Sequence, residues 1–421
     1  MKTEIINIGD ELLIGQVINT NAAWMAEQLN LAGFRAYQFT VIGDSRQHIL
    51  QALAEAEDRA EVVLISGGIG PTKDDITKHT LCEFFNTKLV FNEEAYRDVE
   101  ALFARRGYPV TELNHQQAEL PELCTGIPNK VGTARGMWFE KDRKEGGKTI
   151  FVSMPGVPFE MKAMMTDYVI PRLKEAFKTP FIYHKTILTQ GVGESFLAAQ
   201  IETWENALPP NIKLAYLPQP GIVRLRLTGE SPDETALHHQ VDSEADKLKE
   251  LIPGYIFGYD DESLEMVVGR LLTEQKATLA TAESCTGGTI AQMITSIPGS
   301  SVYYKGSVVA YANEIKENIL GVNSETLENF GAVSRQVVLE MAASLQAKFN
   351  VDYAIATSGI SGPDGGTPEK PVGTAWIAIA TPDAVFAEQY LFGDNRERNI
   401  RRTSLQALSL LRKKLLFHHF F

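Results

Sequence analysis

Three short apolar runs that each break at glycine constrain this chain most: "TEIINIG" at residues 3–9, "VVLISGG" at 62–68 and "TIFVSMPGVP" from residue 149. They are rich in β-branched residues, as strands are, and glycine ends strands where the backbone must turn sharply. Between the first two lies "NAAWMAEQLNLAGF", which has helical apolar spacing and a glycine just past its end. Strand and helix in alternation predict an α/β domain with a mostly parallel sheet. In such sheets, ligand loops gather at the carboxyl ends of the strands. Those ends here read "GDELLIGQVINTN", "SGGIGPTKDD" and "MPGVPFEM".

The same theme returns late in the chain. Residues 277–282 read as a short apolar strand, and Ile290, Met293, Ile294 and Ile297 recur at helical spacing. The turn between them is "ESCTGG", which puts a serine, a cysteine and a threonine where helix amides are unpaired. A length of 421 residues implies two or three cores. The spacing predicts three segments: an α/β segment over 1–170, a small α+β segment over 171–259, and a second α/β segment over 260–421. In the middle one, "YHKTILTQG" and "GIVRLRLTG" read as strands, and "SFLAAQIETWENAL" and "ETALHHQVDSEADKLKELI" as helices.

The formal net charge of −13 argues against a surface built to coat nucleic acid or an anionic membrane. Small anionic ligands need only a local cationic pocket. Three widely spaced cysteines, 82, 124 and 285, form neither a disulfide framework nor a zinc cluster. With no secretory pattern at the start and no apolar run near ~18 residues, the expectation is a cytoplasmic protein without a membrane partner.

In the last segment, Ser284 needs a base to become a nucleophile. The only histidines there are at 418 and 419 in the tail, so a Ser-His-Asp set has no suitable histidine. A lysine kept neutral by burial is the alternative, and Lys316 in "GSVVAYANEIKENIL" is the candidate, with Tyr311 to relay the proton or orient the amine. Backbone amides around Thr286, Gly287 and Gly288 are candidate oxyanion donors. Cys285 is a rival nucleophile, since thiolates are favoured at helix starts, and plain helix capping is a third reading. The loop "SGISGPDGGTPEKPVG", with Gly359, Gly362, Asp364 and Lys370, allows close approach of backbone to a ligand. Arg396, Arg398, Arg401 and Arg402 follow in a cluster whose forked donors suit a phosphate.

In the first segment, Gly67, Gly68, Gly70 and Thr72 form a loop fit for a phosphate or a pterin. Asp74 and Asp75 beside it, with Asp10 and Glu11 at another strand end, are candidate ligands of a divalent metal; capping of the helix after "KDD" is the plainer role. Asn19, Asn21 and Glu160 are further candidates for ligand contact.

"AESCTGG", "GSVVAYANEIK", "GAVS", "SGISGPDGG" and "KPVGTAW", in this order, resemble the C-terminal domain of the competence/damage-inducible CinA family. The whole chain is similar to full-length members, because the three N-terminal loop motifs match in order as well. The resemblance implies a molybdopterin-binding-like N-terminal domain, a KH-like middle domain and a C-terminal deamidase domain. It implies hydrolysis of nicotinamide mononucleotide to nicotinate mononucleotide and ammonia, with Ser284 attacking the amide, Lys316 as base and Tyr311 assisting. An arginine of the 396–402 cluster, Arg396 or Arg401, would hold the phosphate, and Cys285 becomes a bystander. For the N-terminal domain it implies metal-dependent cleavage of ADP-ribose to AMP and ribose 5-phosphate. A KH module clamps nucleic acid with a GXXG loop, whereas "TQGVGESF" has Gly191 and Gly193 at another spacing. Residues 171–255 carry 9 Lys and Arg against 11 Asp and Glu, which argues against RNA and for a scaffold or dimer-building unit. A homodimer is therefore expected. The alternative class is a pterin- or nucleic-acid-binding protein without turnover.

Overall fold

The structure, a computed structural model, describes residues 1–72, 75–143 and 146–416. The chain packs as two compact units, Met1–Tyr183 with Glu230–Leu237, and His184–Gly229 with the chain from His238 onward. The middle sequence segment thus largely shares a unit with the C-terminal one.

The first unit is built on a six-stranded sheet. Its order is Arg35–Ile42, Lys2–Ile8, Val62–Ser66, Lys148–Met154, Gly136–Asp142 and Thr125–Ile127. The first four strands are parallel and the last two antiparallel. The sheet is therefore mixed, with the parallel part where the glycine-ended runs predicted it. Alternate residues go to opposite faces, as strand geometry requires. Ile5, Leu64 and Val152 join one core, where Met25 and Leu29 of the helix Thr20–Leu31 cover them. Ile6, Val63, Ile65 and Phe151 join the other, with Ile49 and Leu53 of Arg46–Arg59. Pro171, the expected start of the middle segment, lies inside a helical stretch. The helix Ile170–Ala176 buries Leu173 in the first core, so this unit continues past 171. Proline is tolerated there because the π-helical turn Met165–Val169 runs directly into it and already breaks the regular amide ladder.

The second unit holds two sheets. A four-stranded one runs in the order Ile212–Gln219, Ile222–Ser231, Phe181–Gln190 and Ile256–Tyr259. The five-stranded one runs Tyr304–Val309, Leu279–Glu283, Tyr353–Gly359, Thr374–Ala380 and Val385–Leu391. Its first three strands are parallel and the rest antiparallel. The alternation in "LATA", "YAIA" and "WIAIA" explains how this sheet is covered. Leu279, Ile355, Ile377 and Ile379 fill one core beneath the helices Leu264–Glu274 and Arg396–Leu416. Ala280, Ala282, Ala354, Ala356, Ala378 and Ala380 face the other side. Methyl-sized side chains there let the helix Arg335–Phe349 approach closely, with Val338, Met341 and Leu345 filling the gap. Among the described residues, no helix is long and apolar enough to cross a membrane.

Candidate functional site

Each unit gathers chemistry-bearing side chains at the carboxyl ends of its strands. In the second unit, every residue of Leu279–Glu283 is buried, and the Ser284 amide continues the ladder by donating to the Thr357 carbonyl (3.0 Å). The chain then turns through 285–288 into the helix Thr289–Thr295. Glu283, fully buried, shapes this turn. Its carboxylate accepts from the amides of Gly288 (3.0 Å), Ile290 (3.0 Å) and Ala291 (2.8 Å). Three charge-assisted bonds offset the desolvation of a carboxylate that has no basic partner among the described residues. The expectation for oxyanion donors is corrected accordingly. Gly288 donates to Glu283, and Gly287 donates to the Ser284 carbonyl (3.2 Å). The amides of Cys285 and Thr286 make no hydrogen bond among the described residues. The Thr286 hydroxyl is paired with that of Thr357 (2.8 Å), a bond between strand end and turn.

Lys316 lies in the helix Asn313–Asn318 and is 1% exposed. Its Nζ donates to the carbonyls of Ala310 (2.8 Å) and Tyr311 (3.3 Å), and no carboxylate pairs with it among the described residues. Burial pushes its ammonium below the ordinary lysine range, with the nearby Cys285 thiol as a weaker opposing influence. The Cys285 thiol is itself pushed up to about 12 by burial, so it stays a neutral thiol near pH 7.

Of the two roles expected for Tyr311, relay of the proton and orientation of the amine, its contacts here bear on the second. Its carbonyl orients the Lys316 amine, while its exposed hydroxyl accepts from Arg396 Nη2 (3.1 Å). Arg396 Nη1 donates to the Gly362 carbonyl (2.8 Å), which joins the tyrosine to the glycine-rich loop. That loop is tied back to the serine turn, since the Ser361 hydroxyl donates to the Cys285 carbonyl (3.2 Å). Gly359 is required by close approach: a Cβ there would lie 2.6 Å from the Thr374 carbonyl oxygen and 3.1 Å from Cys285 Sγ. Asp364 is exposed and has no partner among the described residues. Lys370 donates to the Phe330 carbonyl (2.7 Å), a tether within the fold. Of the two arginines favoured for phosphate, only Arg396 contacts these loops. Arg401 lines a different cavity with Ile222, Arg224, Glu262 and Gln292. Helical spacing separates the two: five residues on, a side chain points to another face.

In the first unit, a cleft of about 370 Å³ is lined by Glu11, Asp44, Gly67, Gly68, Gly70, Asp75, Gln117, Thr133, Gly156 and Glu160, among others. Gly67 must be glycine, because its φ is +119° and a Cβ would lie 2.1 Å from the Ile8 carbonyl oxygen. Asp75 does not cap the following helix. That helix is Thr77–Phe84, and Asp75 instead accepts from the Thr72 amide (2.9 Å) and hydroxyl, closing the loop on itself. Asp10 accepts from the Asp44 amide (3.3 Å), and Asp44 from the Asp10 amide (3.1 Å). Glu160 accepts from Asn129 (2.6 Å). Asn19 caps the helix Thr20–Leu31 and donates to Asn7 (3.0 Å). Asn21 donates to Ser66 (3.2 Å) and to the Gly156 carbonyl (2.8 Å), bridging two strand ends behind the cleft. Asn21 Oδ1 is buried and has no partner among the described residues. Asp74 lies outside the described residues. Among those described, no three His, Cys, Asp or Glu side chains gather to hold a metal.

Sequence reasoning missed Glu283, Asp44 and Gln117. Glu283 carried a signal, a carboxylate closing an otherwise apolar strand just before a glycine turn. Asp44 carried another, in "TVIGDS", which is one more strand end with glycine. Gln117 reaches the cleft from a short helix, Glu112–Gln117, and had none.

Together these features define a protein with two α/β ends, one bearing an acidic glycine-walled cleft and the other a serine turn with a buried lysine. Family profiles agree along the chain. "Probable molybdopterin binding domain" matches residues 4–175, "Damage-inducible protein CinA KH domain" residues 184–258, and "CinA C-terminal domain" residues 261–415. A CinA-like protein of Flavobacterium psychrophilum is 50% identical over 99% of both chains. One of Cytophaga hutchinsonii is 46% identical over 98% of this chain and 97% of that one. The chain belongs to the CinA family, as a competence/damage-type protein with all three of its domains, and this is consistent with an enzyme.

Proposed function

We propose that the C-terminal site hydrolyses the carboxamide of nicotinamide mononucleotide to the carboxylate and ammonia. The observation that carries this reading is Lys316: a lysine 1% exposed, held by two carbonyls and lacking a carboxylate partner, is set up to be neutral and to accept a proton. In this reading Ser284 Oγ gives its proton to Lys316 Nζ and attacks the amide carbon. The free amides of Cys285 and Thr286 receive the developing oxyanion. Lys316 returns the proton to the departing ammonia, and water then releases the acyl group by the same route. Arg396, exposed beside Tyr311 and the Gly362 loop, offers its guanidinium to the 5′-phosphate. The test is the pH dependence of ammonia release. A lysine base must be neutral, so the rate rises with pH through a pKa below the usual lysine value. Lys316→Arg, always charged, should reduce the rate at least ~10³-fold and abolish that limb. An unchanged profile in Lys316→Arg would assign the base elsewhere.

A second reading concerns the N-terminal cleft. Its glycine walls allow a phosphate to approach the backbone, which supports ADP-ribose as the ligand to be cleaved to AMP and ribose 5-phosphate. No step is assigned to a metal here. A divalent ion belongs to this reading as a companion of the ligand's phosphates, since the described lining holds acidic but no basic side chains. AMP formation from ADP-ribose, compared between wild type and Asp74→Ala, tests it; equal rates would return the cleft to a binding role. The expected homodimer and cytoplasmic location remain part of the same proposal.

A further inference from the structure

Between the end of the strand Leu279–Glu283 and the first turn of the helix Thr289–Thr295, every backbone amide can be accounted for, because a buried donor needs an acceptor. Ser284 donates to the Thr357 carbonyl (3.0 Å) and Gly287 to the Ser284 carbonyl (3.2 Å). Thr289 donates to the Thr286 carbonyl (3.1 Å) and Gln292 to the Gly288 carbonyl (2.9 Å). Gly288, Ile290 and Ala291 all donate to the Glu283 carboxylate. Over 284–292, only the amides of Cys285 and Thr286 are left without a partner among the described residues.

Glu283 is what reduces the set to two. A chain entering a helix leaves its first amides open, and each of them attracts developing negative charge. Here three are occupied by an anion that comes from the strand before them. Gly288 permits this, with a φ of +97° in the left-handed region that other residues avoid, where the chain doubles back over Glu283. Oε2 accepts from Gly288 and Ile290, and Oε1 accepts from Ala291 with the Thr281 hydroxyl 3.4 Å away. A carboxylate fits this ring of donors. A side-chain amide in its place would set its own N–H group against at least one backbone N–H. Thr281 is held in turn by the hydroxyls of Tyr304 (2.6 Å) and Ser307 (2.9 Å), so the cluster is anchored on two neighbouring strands.

We propose that Glu283 is a positioning residue for amide hydrolysis: it takes the competing amides, so that the carbonyl oxygen of a bound carboxamide finds only those of Cys285 and Thr286. This role rests on the amide-hydrolase reading above and adds the group that selects its oxyanion donors. Glu283 touches no substrate; it acts through the backbone that it holds. The same anion also helps the serine against its neighbour. Burial is the main cause that keeps the Cys285 thiol neutral, and the Glu283 charge adds to it.

The test compares wild type with Glu283→Gln in the full chain, a change that keeps the shape and removes the charge. For ammonia release from nicotinamide mononucleotide, kcat should fall at least ~10-fold with KM within about threefold, because an oxyanion contact strengthens only in the transition state. Labelling of Ser284 by an alkyl fluorophosphonate, read by peptide mass, calls on the same two donors and needs no nicotinamide substrate. It should slow at least ~10-fold as well, and it separates failure of this inference from a wrong choice of substrate. Glu283→Asp, which keeps the charge but withdraws it by one methylene, serves where the Gln variant does not fold, with a loss of at least ~3-fold expected in both rates. Unchanged kcat and labelling in a folded variant, with only the melting temperature lowered, would overturn the proposal, as would a loss that appears in KM and not in kcat.

Discussion

The serine turn and the N-terminal cleft stand at equivalent places, the carboxyl ends of parallel strands, yet they are made in opposite ways. Around Ser284 the charged groups are buried and already satisfied by backbone: Glu283 by three amides, Lys316 by two carbonyls. Around Gly67–Gly70 the carboxylates are largely tied to neighbouring loops, and no cation among the described residues faces them. In the first arrangement burial lowers the lysine's affinity for its proton, the direction that the proposed general base requires. The second is an acidic shell, to which the proposed ligand would bring its cation. One site is preorganised and the other is completed by what it binds.

The comparison can be broken at its strongest point first. Ser284→Ala should lower ammonia release at least ~10³-fold with the melting temperature unchanged, because only the attacking oxygen is lost. Metal removal divides the two ends next: a chelator should stop AMP formation from ADP-ribose while ammonia release stays within about twofold. Equal sensitivity would mean that the ends are not independent. Gly67→Ala should destabilise the chain by about 1–3 kcal/mol in thermal unfolding, since it forces a Cβ against the Ile8 carbonyl at a left-handed φ. Arg396→Ala should raise KM about tenfold to a hundredfold and leave kcat near wild type, as loss of a phosphate contact does. The smallest effect is expected from Cys285→Ala, within about threefold in rate, because burial keeps this thiol protonated.

Much of this was legible in the sequence, for definite physical reasons. Glycine-ended apolar runs gave away the strand ends, with Gly67 at φ +119° the one of the three that needs glycine for its conformation, and Ser284 stood out because it closes another short apolar run just before two glycines. Lys316 could be singled out by elimination of histidine, although its burial could not be read. The role of Tyr311 was half visible: the residue was found, but a sequence does not tell that its carbonyl, not its hydroxyl, meets the amine. Arg396 and Arg401 looked equivalent because a run of arginines gives no facing, which the packing of the long helix decides. Of the amides expected at 286–288, Gly288 is taken by Glu283 and Gly287 by the Ser284 carbonyl, which composition alone could not tell. Asp75 looked like a helix cap, and the loop uses it to close on Thr72 instead.

The most direct measurement of the account is ammonia release from nicotinamide mononucleotide by wild type, Ser284→Ala and Cys285→Ala of the full chain. The account predicts release by wild type and by Cys285→Ala, and none above background by Ser284→Ala. Release that persists in Ser284→Ala and disappears in Cys285→Ala would move the nucleophile to the thiol. No release from folded wild type would contradict the amide-hydrolase reading altogether.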